Sequence, residues 1–147
     1  MPVTERWVHG TSVQSEDPIE FVVRRGWGTH YGVRKAMETW FHFPITTLAA
    51  VDGRHQFLTK VSVFYRTDGS VIKSLNIYDG PRRVKVFENL KLTGDHSGVA
   101  DAQNCWHLEQ PIEITCGVGV SVEVEFLEAV NMMSEILFTA AGAEFVI

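Results

Sequence analysis

The sequence predicts an all-β protein, an antiparallel β-sandwich of the jelly-roll type. Three observations predict it: runs of β-branched and aromatic residues recur along the chain, Gly, Asp and Pro separate them, and no long segment has helical periodicity. Roughly eight to ten short strands of this kind are typical of a sandwich or a barrel. Polar faces on several strands favour two packed sheets. A closed eight-stranded barrel with a small-molecule cavity is the alternative.

Length and charge limit the function classes. The chain has 147 residues without a linker or repeat, which predicts one undivided domain over residues 1–147. Eighteen acidic against thirteen basic residues leave a formal charge of −5, which disfavours a nucleic-acid partner. No apolar run is long enough for a membrane span or a secretory signal, so we expect a cytoplasmic protein without a membrane partner.

The first candidate site lies near the N-terminus. Trp7 and His9 fall on one face of a predicted strand. The segment Gly26–Gly32 follows as a predicted loop, in which Trp27, His30 and Tyr31 carry rings with polar tips suited to stacking on a sugar or another flat ligand. The alternative is a structural loop whose tryptophan closes one end of the sandwich.

A strand is predicted from Glu38 to Thr46. Its alternation sets Glu38, Trp40 and His42 on one face, and Thr39, Phe41 and Phe43 on the other. If the phenylalanines face the core, the Glu-Trp-His row forms an exposed binding surface. A central strand buried on both faces is the other interpretation.

Three Asp-Gly pairs predict hairpin turns at Asp52-Gly53, Asp68-Gly69 and Asp79-Gly80, because both residue types tolerate positive φ. Residues 45–92 are therefore expected to form an antiparallel meander, with strands at 57–65, 71–78 and 84–92. Pro81 cannot donate a ladder hydrogen bond, so the third connection is expected to be looser than a regular hairpin.

The C-terminal part contains the clearest strand, Gly117–Phe126. Four valines and Phe126 occupy one face, and two glycines at the start suggest a bulge. Residues 128–136 are expected to be a loop or short helix. An apolar last strand over residues 135–145 suits the middle of a sheet or contact with a partner, so we expect a homo-oligomer.

Candidates for acid/base chemistry are a polar loop and two further histidines. Asp95, His96 and Ser97 adjoin in a polar loop, where an Asx turn is the simpler interpretation. If the protein is an enzyme, the candidate catalytic residues are His30, His42, Asp95 and His96. The six histidines lack metal-ligand spacing, and Cys105 and Cys116 are expected to be reduced and mostly buried, so we expect no metal and no cofactor.

Three functions follow from these patterns. The first is a non-enzymatic module that binds a carbohydrate or another small molecule through loops at one end of the sandwich, with Trp27, His30, Tyr31, Glu38, Trp40 and His42 as ligand-binding residues. The second is a cofactor-independent cyclase, lyase or isomerase that uses a histidine in an apolar cavity. The third is a structural protein that assembles with copies of itself.

Overall fold

A computed structural model describes residues 3–48, 50–129 and 132–147. Within these residues the regular structure consists of twelve β-strands and one 3-10 turn, Gly10–Ser12. The strands are β1 Val3–His9, β2 Gln14–Ser15, β3 Phe21–Arg25, β4 Gly28–Val33, β5 Met37–Ile45, β6 Gln56–Asp68, β7 Ser70–Asp79, β8 Arg82–Phe87, β9 Asp95–His96, β10 Cys105–Ile114, β11 Val118–Phe126 and β12 Ser134–Val146. No helix in the described part of the chain is long and apolar enough to cross a membrane.

The strands form two antiparallel sheets. The first contains seven strands, in the order β10-β6-β12-β4-β3, with β1 also paired to β12 and β9 to β6. The second contains five, in the order β2-β5-β11-β7-β8. The predicted all-β sandwich is confirmed. The closed barrel is wrong, because the strands divide between two separate sheets that pack face to face.

Aromatic side chains join the sheets across the core. The Phe41 ring of the five-stranded sheet lies 4.6 Å from Tyr31 and 5.2 Å from Phe138 of the seven-stranded sheet, measured between ring centroids. Both distances fall within the range of favourable aromatic pairs. Strand β11 contributes the predicted face: Val118, Val120, Val122, Val124 and Phe126 are all buried.

The Asp-Gly turns connect the strands differently from the prediction. Asp52 and Gly53 do have positive φ, but their turn closes only an isolated bridge from Val51 to Arg54. Gly69 connects β6 to β7, which lie in different sheets, so the predicted meander is wrong. A turn that tolerates positive φ serves a corner between sheets as well as a hairpin.

The third Asp-Gly pair forms the hairpin that Pro81 was expected to loosen. Strands β7 and β8 pair directly, with Asp79 opposite Arg82 and only Gly80 and Pro81 between them. Proline is tolerated because it lies in the turn, where its missing N–H is not needed for the ladder. Strand β8 ends at Phe87 and not at Leu92, which makes only a bridge to Ile72.

Strand β12 lies inside the seven-stranded sheet. It pairs with β6 on one side and with β4 and then β1 on the other. Burial within the chain thus accounts for its apolar sequence without a partner, and the homo-oligomer stays a prediction. Residues 130 and 131 of the predicted loop or short helix lie outside the described residues, and Ser134–Ile136 already belongs to β12.

Two smaller expectations changed. The irregular pairing in β11 lies between Glu123 and Val124, opposite β7, and not at the glycines that begin the strand. Both cysteines are free thiols, but Cys116 is exposed where burial was expected.

Candidate functional site

Strand β5 exposes one face on the outside of the five-stranded sheet. Thr39, Phe41 and Phe43 are buried against the other sheet, whereas Trp40 and His42 are only partly buried. A pleated strand that buries one set of alternate residues must present the other set outward. The interpretation with both faces buried is therefore wrong, and Trp40 and His42 belong to an outer surface.

An open groove of about 660 Å³ crosses this surface, and we call it the sheet groove. Its lining comes from all five strands and the residue after β2: Gln14, Glu16, Trp40, His42, Phe43, Pro44, Asn76, Tyr78, Arg83, Gly119, Val120 and Ser121. The volume falls in the usual range for small-molecule sites. The five strands span about 19 Å at the usual spacing, so the surface is long enough for a chain of several rings.

Strand register explains the depression. Gly119 lies between Pro44 on β5 and Tyr78 on β7, so the middle of this row has no side chain. A Cβ added at Gly119 would meet only the Tyr78 Cβ atom, at 3.9 Å. Space above the sheet is therefore open at this point. Tyr78 supplies an aromatic ring in the same row, and Trp40 supplies another two rows away along β5.

Polar groups in the sheet groove come from neighbouring strands. His42 is fixed through both ring nitrogens: Nδ1 lies 2.7 Å from the Ser121 hydroxyl, and Nε2 lies 3.0 Å from Oε1 of Glu16. Asn76, which is 6% exposed, has a buried Oδ1 with no hydrogen-bond partner among the described residues. A buried acceptor left unpaired costs stability, so Asn76 has an unused position for a donor.

The predicted site near Trp27 is on the other sheet. Residues 26–32 are not a loop but the turn at Gly26 and Trp27 followed by strand β4, which forms a hairpin with β3. Trp27 is 60% exposed and its Nε1 donates to Nε2 of His30 at 3.3 Å. Tyr31 faces the interior, is 1% exposed and donates its hydroxyl to the Val13 carbonyl, so it is not part of a surface with Trp27.

Glu38 lies on the same outer face as Trp40 but outside the sheet groove. Its Oε1 accepts a hydrogen bond from Lys73 at 2.8 Å, and this bond lowers the pKa of Glu38. The structure thus places Trp40 and His42 together, sets Glu38 two residues away along β5, and separates all three from Trp27, His30 and Tyr31.

The Asp95–Ser97 segment has a structural role. Asp95 Oδ1 accepts from both the backbone N–H and the hydroxyl of Ser97, which is the predicted Asx turn. His96 is engaged at both ring nitrogens, by Asp101 at 2.7 Å and by the Thr93 carbonyl at 2.9 Å. The hydrogen bond to Asp101 raises the pKa of His96, although partial burial opposes it.

The candidate catalytic residues do not converge. His42 lies on the five-stranded sheet, whereas His30 on β4 and His96 on β9 belong to the seven-stranded sheet. Strands β12 and β6 lie between β4 and β9, so His30 and His96 are three strand spacings apart, which is about 14 Å. Among the residues that the structure describes, no group of three His, Cys, Asp or Glu side chains could hold a metal ion.

Sequence patterns missed Asn76, Tyr78, Arg83, Ser121 and Glu16 as groove residues. The alternation of β11 did point Ser121 away from the core, but nothing local indicated which strands would flank it. The groove combines residues from strands that are dozens of positions apart.

Comparisons with known proteins agree with the fold. No curated protein matches the sequence. The solved structure of "TmCBM61 in complex with beta-1,4-galactotriose" is 13% identical, with a TM-score of 0.50, covering 96% of this chain and 88% of that one. A carbohydrate-binding module, CBM36, in complex with calcium and xylotriose is 10% identical (TM-score 0.46; 95% and 98% covered). The CBM36-1 domain of a multidomain xylanase from the hindgut metagenome of Trinervitermes trinervoides is 10% identical (TM-score 0.42; 95% and 96% covered).

The structural likeness to TmCBM61 supports a shared β-sandwich architecture, and a fold by itself does not assign a ligand. A family model described as "Family of unknown function (DUF6623)" matches residues 1–145.

Proposed function

The chain belongs to the family of unknown function DUF6623, and we propose, from the chain's own surface, that it is a non-enzymatic carbohydrate-binding module. The ligand is an oligosaccharide that lies across the outer face of the five-stranded sheet, in the sheet groove. The observation that carries this proposal is a groove of about 660 Å³ in which Trp40 and Tyr78 accompany a set of hydrogen-bonding side chains.

The chemistry of the sheet groove fits a sugar. A sugar ring has apolar C–H faces and a rim of hydroxyls, so its site needs aromatic surface together with donors and acceptors. Trp40 and Tyr78 offer rings whose edges carry polar atoms. Asn76 and Ser121 offer hydrogen-bonding groups in the adjacent row, where His42 lies with both ring nitrogens already engaged.

Preorganisation supports the same conclusion. The His42 ring is held between Ser121 and Glu16, so little side-chain entropy is lost when a ligand binds beside it. The groove lies on strands and not on loops, unlike the end-loop site expected from the sequence. The complex of the structural neighbour with β-1,4-galactotriose supports a sugar as the ligand class.

The test is calorimetric titration with neutral oligosaccharides, beginning with β-1,4-galactotriose and extended by a glycan array. We expect Trp40→Ala and Tyr78→Ala to weaken binding at least tenfold, which corresponds to about 1.4 kcal/mol. Trp27→Ala is the matched control, because this tryptophan is exposed on the other sheet. It should leave the affinity unchanged.

A variant that blocks the groove without removing a core contact separates lost binding from lost folding. Gly119→Val fills the middle of the sheet groove, and valine suits a strand better than glycine does. We expect lost binding with unchanged or higher resistance to urea. Absence of binding to every glycan, or binding that depends on Trp27 and not on Trp40, would overturn the proposal.

A further inference from the structure

We infer that the sheet groove selects acidic oligosaccharides, with the carboxylate of a uronic acid residue bound by Arg83. This inference rests on the proposed function and names the ligand class of the same site. It depends on which of three neighbouring basic residues remains free, on the ring beside it, and on the unpaired acceptor in the next row.

Arg82, Arg83 and Lys85 form a basic cluster on the edge strand β8, but they do different things. Arg82 pairs with the buried carboxylate of Asp79 at 3.3 Å. Lys85 lies opposite the buried Ile77, and its Nζ is 5.3 Å from the centre of the Phe87 ring. An irregularity in the β7–β8 pairing, between Ile77 and Tyr78, separates Lys85 from the row of Arg83.

Arg83 is the member of this cluster that lines the sheet groove. It is exposed, and within the described part of the chain it makes no ion pair with an acidic side chain. A guanidinium group presents a planar fork of donors that matches a carboxylate in a bidentate pair. Arg83 is therefore a cation available to a ligand at the β8 end of the groove.

Tyr78 lies directly opposite Arg83 in the strand register. Side chains of opposite residues in an antiparallel pair lie about 5 Å apart at Cβ. A uronic acid carries its carboxylate on a carbon attached to the sugar ring. A ring stacked on Tyr78 therefore brings its carboxylate within reach of Arg83.

Asn76 supplies the third contact. Its buried Oδ1 is unpaired, and the side chain lines the groove in the row next to Tyr78, so a rotation of the amide would let it accept a hydrogen bond from a hydroxyl of the same sugar residue. At the other end of the groove Glu16 holds His42. The charges at the two ends thus differ, and a chain with an acidic sugar binds in one direction, with the carboxylate toward β8.

The protein as a whole carries a formal charge of −5, which repels a polyanion at long range. A preference for an acidic sugar must therefore come from a local contact. This makes the effect of Arg83 separable from general electrostatic attraction.

The experiment compares each acidic oligosaccharide with a neutral form of the same chain. Oligogalacturonides and oligoglucuronides are titrated beside their fully methyl-esterified counterparts, which keep the sugar rings but lose the charge. We expect at least fivefold tighter binding of one acid form than of its ester. This preference should shrink as NaCl is raised from 20 to 500 mM.

Arg83→Gln should abolish the preference, so that the variant binds the acid and its ester with the same affinity. Arg25→Gln is the matched control, since it removes the same charge from an exposed position on β3 of the other sheet. Esters that bind as tightly as the acids, or a preference that survives Arg83→Gln, would overturn the inference. Binding of neutral sugars that depends on Trp40, without an acid preference, overturns the inference alone, whereas no binding of either form overturns the proposed function as well.

Discussion

Asp79 offers the sharpest test of how the fold is held together. Its side chain is 1% exposed at the end of β7, and its oxygens accept hydrogen bonds from three successive backbone N–H groups, Thr115 at 3.0 Å, Cys116 at 2.8 Å and Gly117 at 3.1 Å. The Thr115 hydroxyl adds a fourth bond at 3.1 Å. This carboxylate therefore anchors the turn that leads from β10 in one sheet to β11 in the other.

The pKa of Asp79 gives the magnitude. Burial raises it, but the hydrogen bonds from the backbone and from Thr115 outweigh burial and lower it from 3.8 to about 2. A folded-state pKa below the unfolded value means that the stabilisation is present above about pH 4 and is lost as pH falls through 2. The expected loss between pH 5 and pH 2 is about 2 kcal/mol.

Asp79→Asn keeps the size of the side chain but removes the charge and replaces one acceptor oxygen by a donor. We expect it to lower the free energy of unfolding by about 3 kcal/mol at pH 7, because N–H groups of the turn lose a charged acceptor. The difference from the wild type should shrink to about 1 kcal/mol at pH 2, where the wild-type carboxylate is itself half protonated.

Urea titrations from pH 7 to pH 2, followed by circular dichroism, measure this difference directly. Other carboxylates titrate alike in both proteins, so their contributions cancel in the difference between the two free energies of unfolding. Asp68→Asn is the control, since it alters an exposed aspartate of another Asp-Gly pair. A difference that stays constant within 0.5 kcal/mol from pH 5 to pH 2 would refute the assignment of the pH dependence to Asp79.

Three further outcomes follow from the packing. The hydrogen bond to Asp101 raises the pKa of His96, so the stability that this pair adds to the fold is complete below about pH 6.5 and is lost as pH rises through the folded-state pKa. The melting temperature of the wild type, but not of His96→Gln, should fall over that range. Phe41→Ala should cost about 3–5 kcal/mol in urea unfolding, since Phe41 joins the two sheets, and a cost below 1 kcal/mol would contradict the packing. Gly142→Val should displace the indole of Trp7, because a Cβ there would overlap its ring; an unchanged tryptophan emission spectrum would argue against that contact.

Alternation along single strands predicted local orientation well. The buried face of β11 and the outward Trp40 and His42 of β5 follow from a two-residue period that each strand carries in its own sequence. The same period could not show that Tyr31 points inward while its neighbour His30 points outward, because residues 26–32 were interpreted as a loop. Glycines suggested flexibility where the structure has a hairpin with close backbone packing around Gly28.

The turns explain where prediction of the topology failed. Asp68-Gly69 and Asp79-Gly80 have the same local chemistry, and Gly69 and Gly80 both have positive φ. One connects two sheets and the other closes a hairpin. Turn residues specify which backbone angles are accessible, whereas the burial of both flanking strands decides whether they pair.

The sequence by itself determined the all-β class, the inward face of each strong strand and the presence of aromatic and histidine side chains on outer faces, because these depend on neighbours two residues apart. Only the tertiary structure decided which strands lie side by side. Trp40, Tyr78 and Arg83 come from β5, β7 and β8, and β11 must insert between the first two before a groove exists. Strand order is set by burying the apolar faces of all strands together, and that requirement is not contained in any one segment of the chain.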